Sequence, residues 1–340
     1  MHDGERAFLA RHLDVFCCPA CHGHLDIEED GLRCRACQCA HPVTDGVIQL
    51  FCPNQWAPGR DDVTERIKAF YEEYPFPNYD DFDNVGSLID KARRGLFAKL
   101  LDDQIPFGAR VLECGCGTGQ LTNFLSVANR TVIGTDICLN SLRLGQRFKE
   151  KNDLQTAHFY QMNLFRPCFR PGSFDLVVSN GVLHHTSDPF LAFQAIARLV
   201  RPRGYILVGL YHKYGRLATD LRRLIFNASG DKGKFLDRHV VNPGLSLAKR
   251  TAWFMDQYKN PHESKHTVGE VLGWLAHTGF TFVHALPKTT PFARLGEHEQ
   301  IFEPDRLGSP FERGLVNLGM IVTGHLEGGF FTVIARKAAA

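Results

Sequence analysis

The 340-residue chain predicts an α/β fold, an open and mostly parallel sheet with helices on both faces, led by a small metal-held module. Three observations carry this. Seven of the eleven cysteines fall within residues 1–52, and four of those seven form two CxxC pairs. Residues 109–210 alternate short apolar runs with amphipathic stretches of helix length, the pattern of a parallel sheet with crossover helices. A glycine-rich turn, Cys114-Gly115-Cys116-Gly117-Thr118-Gly119, joins the first of these strands to the first helix. The composition, 44% hydrophobic and 22% charged, is ordinary for a globular protein and excludes disordered, collagen-like and long coiled-coil chains.

No stretch approaches the ~20 apolar residues that cross a bilayer. Met1 to Arg11 lacks a hydrophobic signal core. The expectation is a soluble, cytoplasmic protein with no membrane partner. Net charge is +2 but uneven: residues 1–52 hold four Arg against eight acids, and residues 211–266 hold eleven Lys/Arg against five. An acidic N-terminus is a poor nucleic-acid footprint. The basic segment is the better candidate for meeting an anion.

Cys18-Pro-Ala-Cys21 and Cys34-Arg-Ala-Cys37 can place four thiolates tetrahedrally around zinc. The stretch between them, Leu25 to Arg33, reads as a hairpin turning at Asp30-Gly31. A module this small has little core, so the metal would supply folding energy. Cys17, Cys39 and Cys52 are surplus, and Cys17 or Cys39 competes as a ligand. The two knuckles, followed by His41-Pro-Val-Thr-Asp-Gly-Val-Ile-Gln-Leu50, resemble the small zinc-ribbon proteins that activate certain tRNA and protein methyltransferases. His41 stands where that family has an aromatic residue, and Gln49 where it has a later proline. The resemblance implies a zinc-ribbon domain over residues 1–52.

Residues 53–105 read as a helical linker or flap. One helix is predicted from Thr64 to Tyr74, ended by Pro75-Phe76-Pro77. A second spans Gly86 to Asp103, with Leu88, Ala92, Leu96 and Leu100 on one face. The aromatics Phe70, Tyr71, Tyr74, Phe76 and Tyr79 form either a packing latch or a flap over a ligand; on the second reading Tyr71 contacts that ligand.

The core, residues 106–210, opens with the strand Ala109 to Glu113, the glycine turn, and a helix carrying Leu121, Phe124, Leu125 and Ala128 at helical spacing. A second strand, Thr131 to Thr135, ends in Asp136, where an acid can hold both hydroxyls of a ribose. The dinucleotide fingerprint is GxGxxG, whereas this turn reads Glu-x-Gly-x-Gly-x-Gly. An acid there would repel a pyrophosphate and suits a ligand with an ammonium group, which favours S-adenosylmethionine over NAD. Phe174 to Ser179 is a further buried strand, followed by Asn180. Asp188-Pro189 is a helix start with an N-cap and then proline at N1, and Tyr205 to Leu210 is the next strand.

Residues 109–210 resemble the class I S-adenosylmethionine-dependent methyltransferases, with a type 11-like core. The resemblance implies a Rossmann-like seven-stranded sheet. It implies that Glu113, Gly115, Gly117 and Gly119 line the methionine end of the cofactor, that Asp136 binds the ribose, and that Ile137 packs on the adenine. Asn163 and Leu164 stand where the family reads the adenine edge, Asn163 replacing a commoner aspartate. Asn180 stands at the junction of cofactor and substrate. Arg203 replaces a common glycine on a surface turn.

Residues 211–266 depart from the minimal fold as a helical lid insertion, with helices predicted over Arg216–Phe226 and Ser246–Gln257. Insertions at the C-terminal ends of strands shape the ligand crevice. Arg222, Arg223, Lys249 and Arg250 therefore suggest a basic lid that selects a small organic anion, against the plainer reading that each lies on a solvated helix face. His262-Glu263-Ser264-Lys265-His266 matches HExxH, which needs a helix to bind zinc. Asn260-Pro261 precedes it, and the capping box Thr267 to Glu270 starts a helix only at about residue 268. The protease reading is rejected, and these residues are expected in an exposed loop, the alternative being that His262, Glu263 and His266 face the substrate crevice. Residues 267–340 complete the sheet with a helix over Val268–His277 and strands at Thr281–Ala285 and Gly329–Ala335; residues 287–327 form a second insertion.

The expected activity is methyl transfer from S-adenosylmethionine to a small-molecule metabolite. His184 and His185 follow the strand that ends at Asn180 and are the candidates for a general base, His184 ahead of His185. The competing reading is that they only pack the turn before Asp188. An RNA methyltransferase is the first alternative; the acidic ribbon opposes it, and Asn180-Gly-Val-Leu replaces the Asn-Pro-Pro-aromatic tetrad of enzymes that methylate exocyclic amines of bases. A non-catalytic cofactor-binding or scaffold protein is the second.

Overall fold

The computed structural model describes residues 1–57, 59–77, 79, 83–230, 232–324 and 328–339. The N-terminal module begins with helix α1 (Asp3–His12), whose Phe8 and Leu9 are buried. Strands β1 (Leu25–Glu28) and β2 (Gly31–Cys34) form the expected hairpin, with Glu28 opposite Gly31. The two-residue turn is therefore Glu29-Asp30, one position earlier than expected. Gly31 instead opens β2 at φ +153°, where a Cβ would lie 2.1 Å from the His41 carbonyl oxygen. Strands β3 (Ala40–Thr44) and β4 (Val47–Leu50) make a second hairpin through Asp45-Gly46, both at positive φ as a type I′ turn requires.

The module is not a separate bead. β4 pairs in parallel with β7 (Ala157–Met162), placing Ile48 beside Tyr160 and Leu50 beside Met162. The other strands are β5 (Arg110–Cys114), β6 (Thr131–Asp136), β8 (Phe174–Asn180), β9 (Val200–Tyr211), β10 (Phe280–Leu286) and β11 (Phe330–Lys337). The sheet order is β1-β2-β3-β4-β7-β6-β5-β8-β9-β11-β10. From β7 to β10 this is the expected seven-stranded sheet, parallel through β9 and closed by antiparallel β11 and β10. The four N-terminal strands extend it and cover the backbone edge that β7 would otherwise expose.

Side chains repeat this union. One apolar core runs from Phe8, Leu9, Leu25 and Leu32 through Ile48 and Leu50 to Tyr160, Val177 and Phe193. Glu5 of α1 accepts hydrogen bonds from the Tyr160 hydroxyl and from His158 Nδ1. Arg166 donates to the carbonyls of Pro19, Ala20 and Pro53.

Helix α2 (Thr64–Glu73) follows the module. The single helix expected over residues 86–103 is two: α3 (Val85–Arg94), capped by Asn84 and Ser87, and α4 (Leu96–Gln104), separated by Gly95 in extended conformation. Helices α5 (Gln120–Ser126), α6 (Leu139–Lys151) and α7 (Pro189–Ala197) connect the parallel strands, and the Asp188 carboxylate caps α7 by accepting the Leu191 N–H. The lid contains α8 (Leu217–Ala228) and α9 (Leu247–Phe254), the latter running into a π-turn at Met255–Lys259. α10 (Val268–His277) starts on the Thr267/Glu270 capping box. The second insertion holds an unanticipated helix, α11 (Pro310–Thr323), although its own capping box, Ser309 with Glu312, is visible in the sequence. Arg203 adopts φ +63°, the left-handed conformation that explains glycine's advantage there. Among the described residues no helix is long and apolar enough to cross a membrane.

Because Ile48 is fully buried in the shared sheet and core, Ile48→Ala should lower stability by about 2–5 kcal/mol. The module and core should unfold together. Urea titration followed by Trp fluorescence and by thiol labelling of Cys34 checks this; two separated transitions would contradict a shared core.

Candidate functional site

The Sγ atoms of Cys18, Cys21, Cys34 and Cys37 all lie within 4.8 Å of one another. Cys18 to Cys37 is 3.6 Å and Cys21 to Cys34 is 3.4 Å. A tetrahedron of sulfurs around zinc has edges of about 3.8 Å when Zn–S is ~2.3 Å, so the four thiols fit the ion with little movement. Cys17, Cys39 and Cys52 lie outside this group; Cys17 instead approaches His22 Nδ1 at 3.8 Å.

A cavity of 520 Å³ opens at the C-terminal ends of β5, β6, β8 and β9. Its floor is the glycine turn. At Gly117, φ is +53° and a Cβ would lie 2.3 Å from the carbonyl oxygen of Phe76. The segment after α2 therefore roofs the turn, and the Thr118 hydroxyl ties it down by donating to the Pro77 carbonyl. Tyr71, Phe76 and Pro77 all line the cavity, so the aromatic run is latch and flap at once. Glu72 of α2 caps α6 by accepting the N–H groups of Leu139 and Asn140.

Two carboxyls, the buried Glu113 and the half-buried Asp136, face this space. Glu113 accepts the Thr122 hydroxyl. Burial pushes it up to about 8, with the nearby Asp136 charge acting in the same direction. Asp136 accepts the N–H groups of Gly117 and Cys138, each at 2.8 Å, and so braces the turn it faces. Burial raises it to about 6 against the pull of these backbone donors. Ile137, Asn163, Leu164 and Asn180 also line the cavity. Asn163 is held on both sides, donating to Cys52 O and Asn54 Oδ1 and accepting the Phe165 N–H.

The two histidines differ. His184 does not line the cavity. It is fully buried, 4.2 Å from the His185 ring and 4.1 Å from the Tyr211 ring, and among the described residues neither of its nitrogens has a partner. Burial drives its pKa far down and keeps the ring neutral. His185 does line the cavity. Its Nδ1 lies 2.8 Å from the His262 carbonyl oxygen. A carbonyl can only accept, so Nδ1 carries the proton and Nε2 of the neutral ring is left as an acceptor. Burial lowers this pKa also, opposed by the charge of Asp256.

The carbonyl that orients His185 belongs to the HExxH stretch. That stretch is not helical, as expected, but neither is it a free loop. Ser264 N–H donates to the His184 carbonyl and His266 N–H to the Tyr211 carbonyl, making a strap across the end of β9. The Glu263 side chain is 3% exposed and lies 2.9 Å from Arg216 and 2.8 Å from Arg223. Burial pushes its carboxyl up, but the two guanidiniums outweigh this and hold it below the ordinary range. Arg216 is itself fully buried and stacks 3.8 Å from the Tyr211 ring.

The expected basic lid does not reach the site. Among the described residues lining the cavity none is Lys or Arg. Arg223 is drawn to Glu263, and Lys265 to Asp220 at 2.6 Å. The lid instead contributes Trp253, Asp256 and Gln257, which sequence reasoning missed. Tyr71 hydroxyl donates to Asp256 Oδ1 at 2.7 Å, and Gln257 Nε2 lies 2.8 Å from both Asp256 Oδ2 and the Tyr211 hydroxyl.

Parts of the chain are similar to known proteins. Residues 112–208 match the methyltransferase domain family, and residues 10–46 match the Trm112p-like protein family. Residues 112–208 are a methyltransferase domain of the S-adenosylmethionine-dependent class. An uncharacterized protein of Synechococcus is 26% identical over 250 residues, covering 66% of this chain and 60% of that one. A ubiquinone biosynthesis O-methyltransferase of Paracidovorax citrulli is 33% identical over 100 residues, 29% of this chain and 42% of that one. The chain thus spans less than two thirds of these relatives. Among solved structures, a putative sarcosine dimethylglycine methyltransferase from Galdieria sulphuraria aligns at TM-score 0.46 and 15% identity, over 80% of this chain and 98% of that one. The complex of a Haloferax volcanii Trm112 methyltransferase activator with a putative methyltransferase aligns at 0.44 and 14%, over 77% of this chain and 100% of that one.

The cavity suits S-adenosylmethionine: acids that can meet an ammonium group and a ribose, and apolar walls between them. The ribbon suits structural zinc. Elemental analysis should find about one zinc per chain. Cys18→Ser should lose the metal and lower the melting temperature; metal-free protein with Cys34 and Cys37 joined in a disulfide would contradict the site.

Proposed function

We propose that this chain transfers the methyl group of S-adenosylmethionine to a hydroxyl of a small, uncharged acceptor with an aromatic or otherwise unsaturated body. One observation carries the reading. A single cavity joins the glycine turn and Asp136 to His185, between Tyr71, Tyr211, Trp253 and Phe330, with carboxylates and no described cation in its walls. Such walls oppose the anionic metabolite expected from the sequence, and they oppose the phosphates of an RNA. The O-methyltransferase name of the Paracidovorax relative points the same way.

The proposed roles follow the walls. Glu113, Gly115 and Gly117 hold the methionine end, while Gly119, expected there from the sequence, lies outside the wall and packs on Phe159; Asp136 takes the ribose; Ile137, Asn163 and Leu164 enclose the adenine; Tyr71 and Asn180 close the junction with the acceptor. The cofactor supplies an electrophilic methyl on a sulfonium. Tyr71, Phe76 and Trp253, which line the cavity, would exclude water and orient the acceptor. His185 Nε2 takes the hydroxyl proton as the C–O bond forms, leaving a methyl ether and S-adenosylhomocysteine. Glu263, braced by Arg216 and Arg223, fixes the strap whose carbonyl sets the His185 tautomer.

His185→Ala should lower kcat at saturating cofactor by roughly a hundredfold or more, the size of a lost general base, with cofactor affinity kept. His184→Ala should cost stability rather than rate. The acceptor is found by incubating the protein with labelled cofactor and metabolite or RNA pools; label confined to RNA, or unchanged kcat in both histidine variants across pH 6–9, would overturn the reading.

Cofactor affinity should also depend on pH. Glu113 is protonated in the free protein below about 8, and an ammonium ligand favours its ionised form. Binding then releases a proton, and affinity rises with pH until about 8 is passed. Calorimetry in buffers of different ionisation heat measures the release, and Glu113→Gln should abolish it. Asp136→Ala should weaken binding by about ten- to a hundredfold, since a hydrogen bond to a charged group is worth ~1.5–3 kcal/mol.

A further inference from the structure

Helix α8 is turned inside out. Leu217, Leu221 and Leu224 recur at helical spacing and are 47%, 60% and 67% exposed, while Thr219 and Phe226 occupy the buried side. The short 3-10 turn after it, Lys232–Leu236, continues the apolar surface, with Phe235 71% exposed. A second exposed stripe, Leu315, Leu318 and Val322, lies on α11. That helix ends where α8 begins: a Cβ on Gly324 would lie 2.5 Å from Gly215 Cα. Contiguous exposed apolar surface of this kind marks an interaction site.

Charge says what meets it. The lid carries eleven Lys/Arg against five acids. Four of those acids are satisfied within the protein: Glu263 by Arg216 and Arg223, Asp220 by Lys265, Asp256 by Tyr71 and Gln257, and Asp237 by Tyr258 and Trp253. Lys232, Lys234 and Arg238 are exposed beside Phe235 and Leu236. Leu and Phe on an outward face, flanked by cations, is the pattern of a segment that lies in the interface of an anionic bilayer.

A second cavity of 580 Å³ lies behind this surface, walled by Arg222, Leu236 and Arg238. It shares Trp253, Gln257 and Gly328 with the catalytic cavity. From the exposed apolar stripe, the cations beside it and the cavity behind it, we propose that the lid docks on the surface of an anionic lipid bilayer. The shared walls offer an apolar acceptor a way from lipid to the site; this consequence rests on the methyl-transfer reading, whereas the docking does not.

The test is cosedimentation of the full zinc-loaded chain with vesicles of phosphatidylcholine alone or mixed equally with phosphatidylglycerol. Binding to the mixed vesicles only, weakened by salt, is expected. Leu221→Asp with Leu224→Asp should reduce binding to background. Lys232→Glu with Lys234→Glu should reduce it about tenfold or more. All four residues are exposed, although the Lys234 ammonium also lies over the Phe254 ring, so circular dichroism checks that the fold is kept, and zinc content and cofactor affinity should be unchanged. Failure to sediment with the mixed vesicles, or equal binding by the Asp variants, overturns the proposal. So does a dimer in light scattering that Leu315→Asp dissolves while no vesicle binding is seen, which would make this face an interface between copies. Loss of methyl transfer in His185→Ala with vesicle binding intact separates the docking from the catalytic reading.

Discussion

A guanidinium that has left water must be answered on every side, and Arg216 is fully buried. It donates to Glu263 of the strap, to Gln257 of the lid and to the Gly328 carbonyl ahead of β11, and its plane lies over Tyr211 at the end of β9. Removing one partner of such a buried pair typically costs ~3–5 kcal/mol, because the other charge is stranded. Three residues of the cavity wall, Tyr211, Gln257 and Gly328, and the strap beside them are thus fastened to one group. What this secures is orientation. With the strap held, the His262 carbonyl has a fixed place, the His185 tautomer follows, and Gln257 is set to hold both Asp256 and Tyr211.

The opposite side of the site rests on the sheet edge. β7 carries Asn163 just past its end, and β4 pairs along β7 up to Met162. Cys52 and Asn54, immediately beyond β4, take the Asn163 amide. The zinc ribbon therefore reaches the cavity wall through three residue pairs of β4–β7 register and a pair of hydrogen bonds. A metal that organises the ribbon also organises the wall that Asn163 belongs to, although the four sulfurs take no part in the cavity.

How much of this was legible depends on the range of the interactions. The knuckles, the glycine turn, Asp136 and the helix caps at Asp188 and Thr267 are local spacings, and they stand where expected. The choice between His184 and His185 is not local. Both lie in one short 3-10 turn, Leu183–His185, and which ring faces the cavity is set by Tyr211 and the strap packing against it. Glu263 read as an exposed loop acid because its partner is 47 residues away. The break at Gly95 was visible as a glycine, but the continuous stripe of Leu88, Ala92, Leu96 and Leu100 outweighed it. The α11 capping box, Ser309 with Glu312, is equally local, but it stands in a stretch whose Pro, Gly and Phe read as an irregular insertion.

The lid shows why a charge count is a poor guide to a substrate. Its surplus of cations is real, but sequence position does not say which side of a helix a charge occupies. In the fold, acids and aromatics of the lid point inward: Asp256, Gln257 and Trp253 to the cavity, Glu263 to Arg216. Arg216, Arg223 and Lys265 neutralise acids of the lid, Lys249 meets Asp83, Arg222 lines the second cavity, and Lys232, Lys234 and Arg238 stay outside beside Phe235. Burial enforces this sorting, since an unpaired Lys or Arg in the apolar cavity would cost far more than one left in water. The same sorting makes the inner surface fit for an uncharged acceptor and the outer one fit for an anionic surface. A positive segment beside an active site therefore identifies what lies outside the protein before it says anything about what enters.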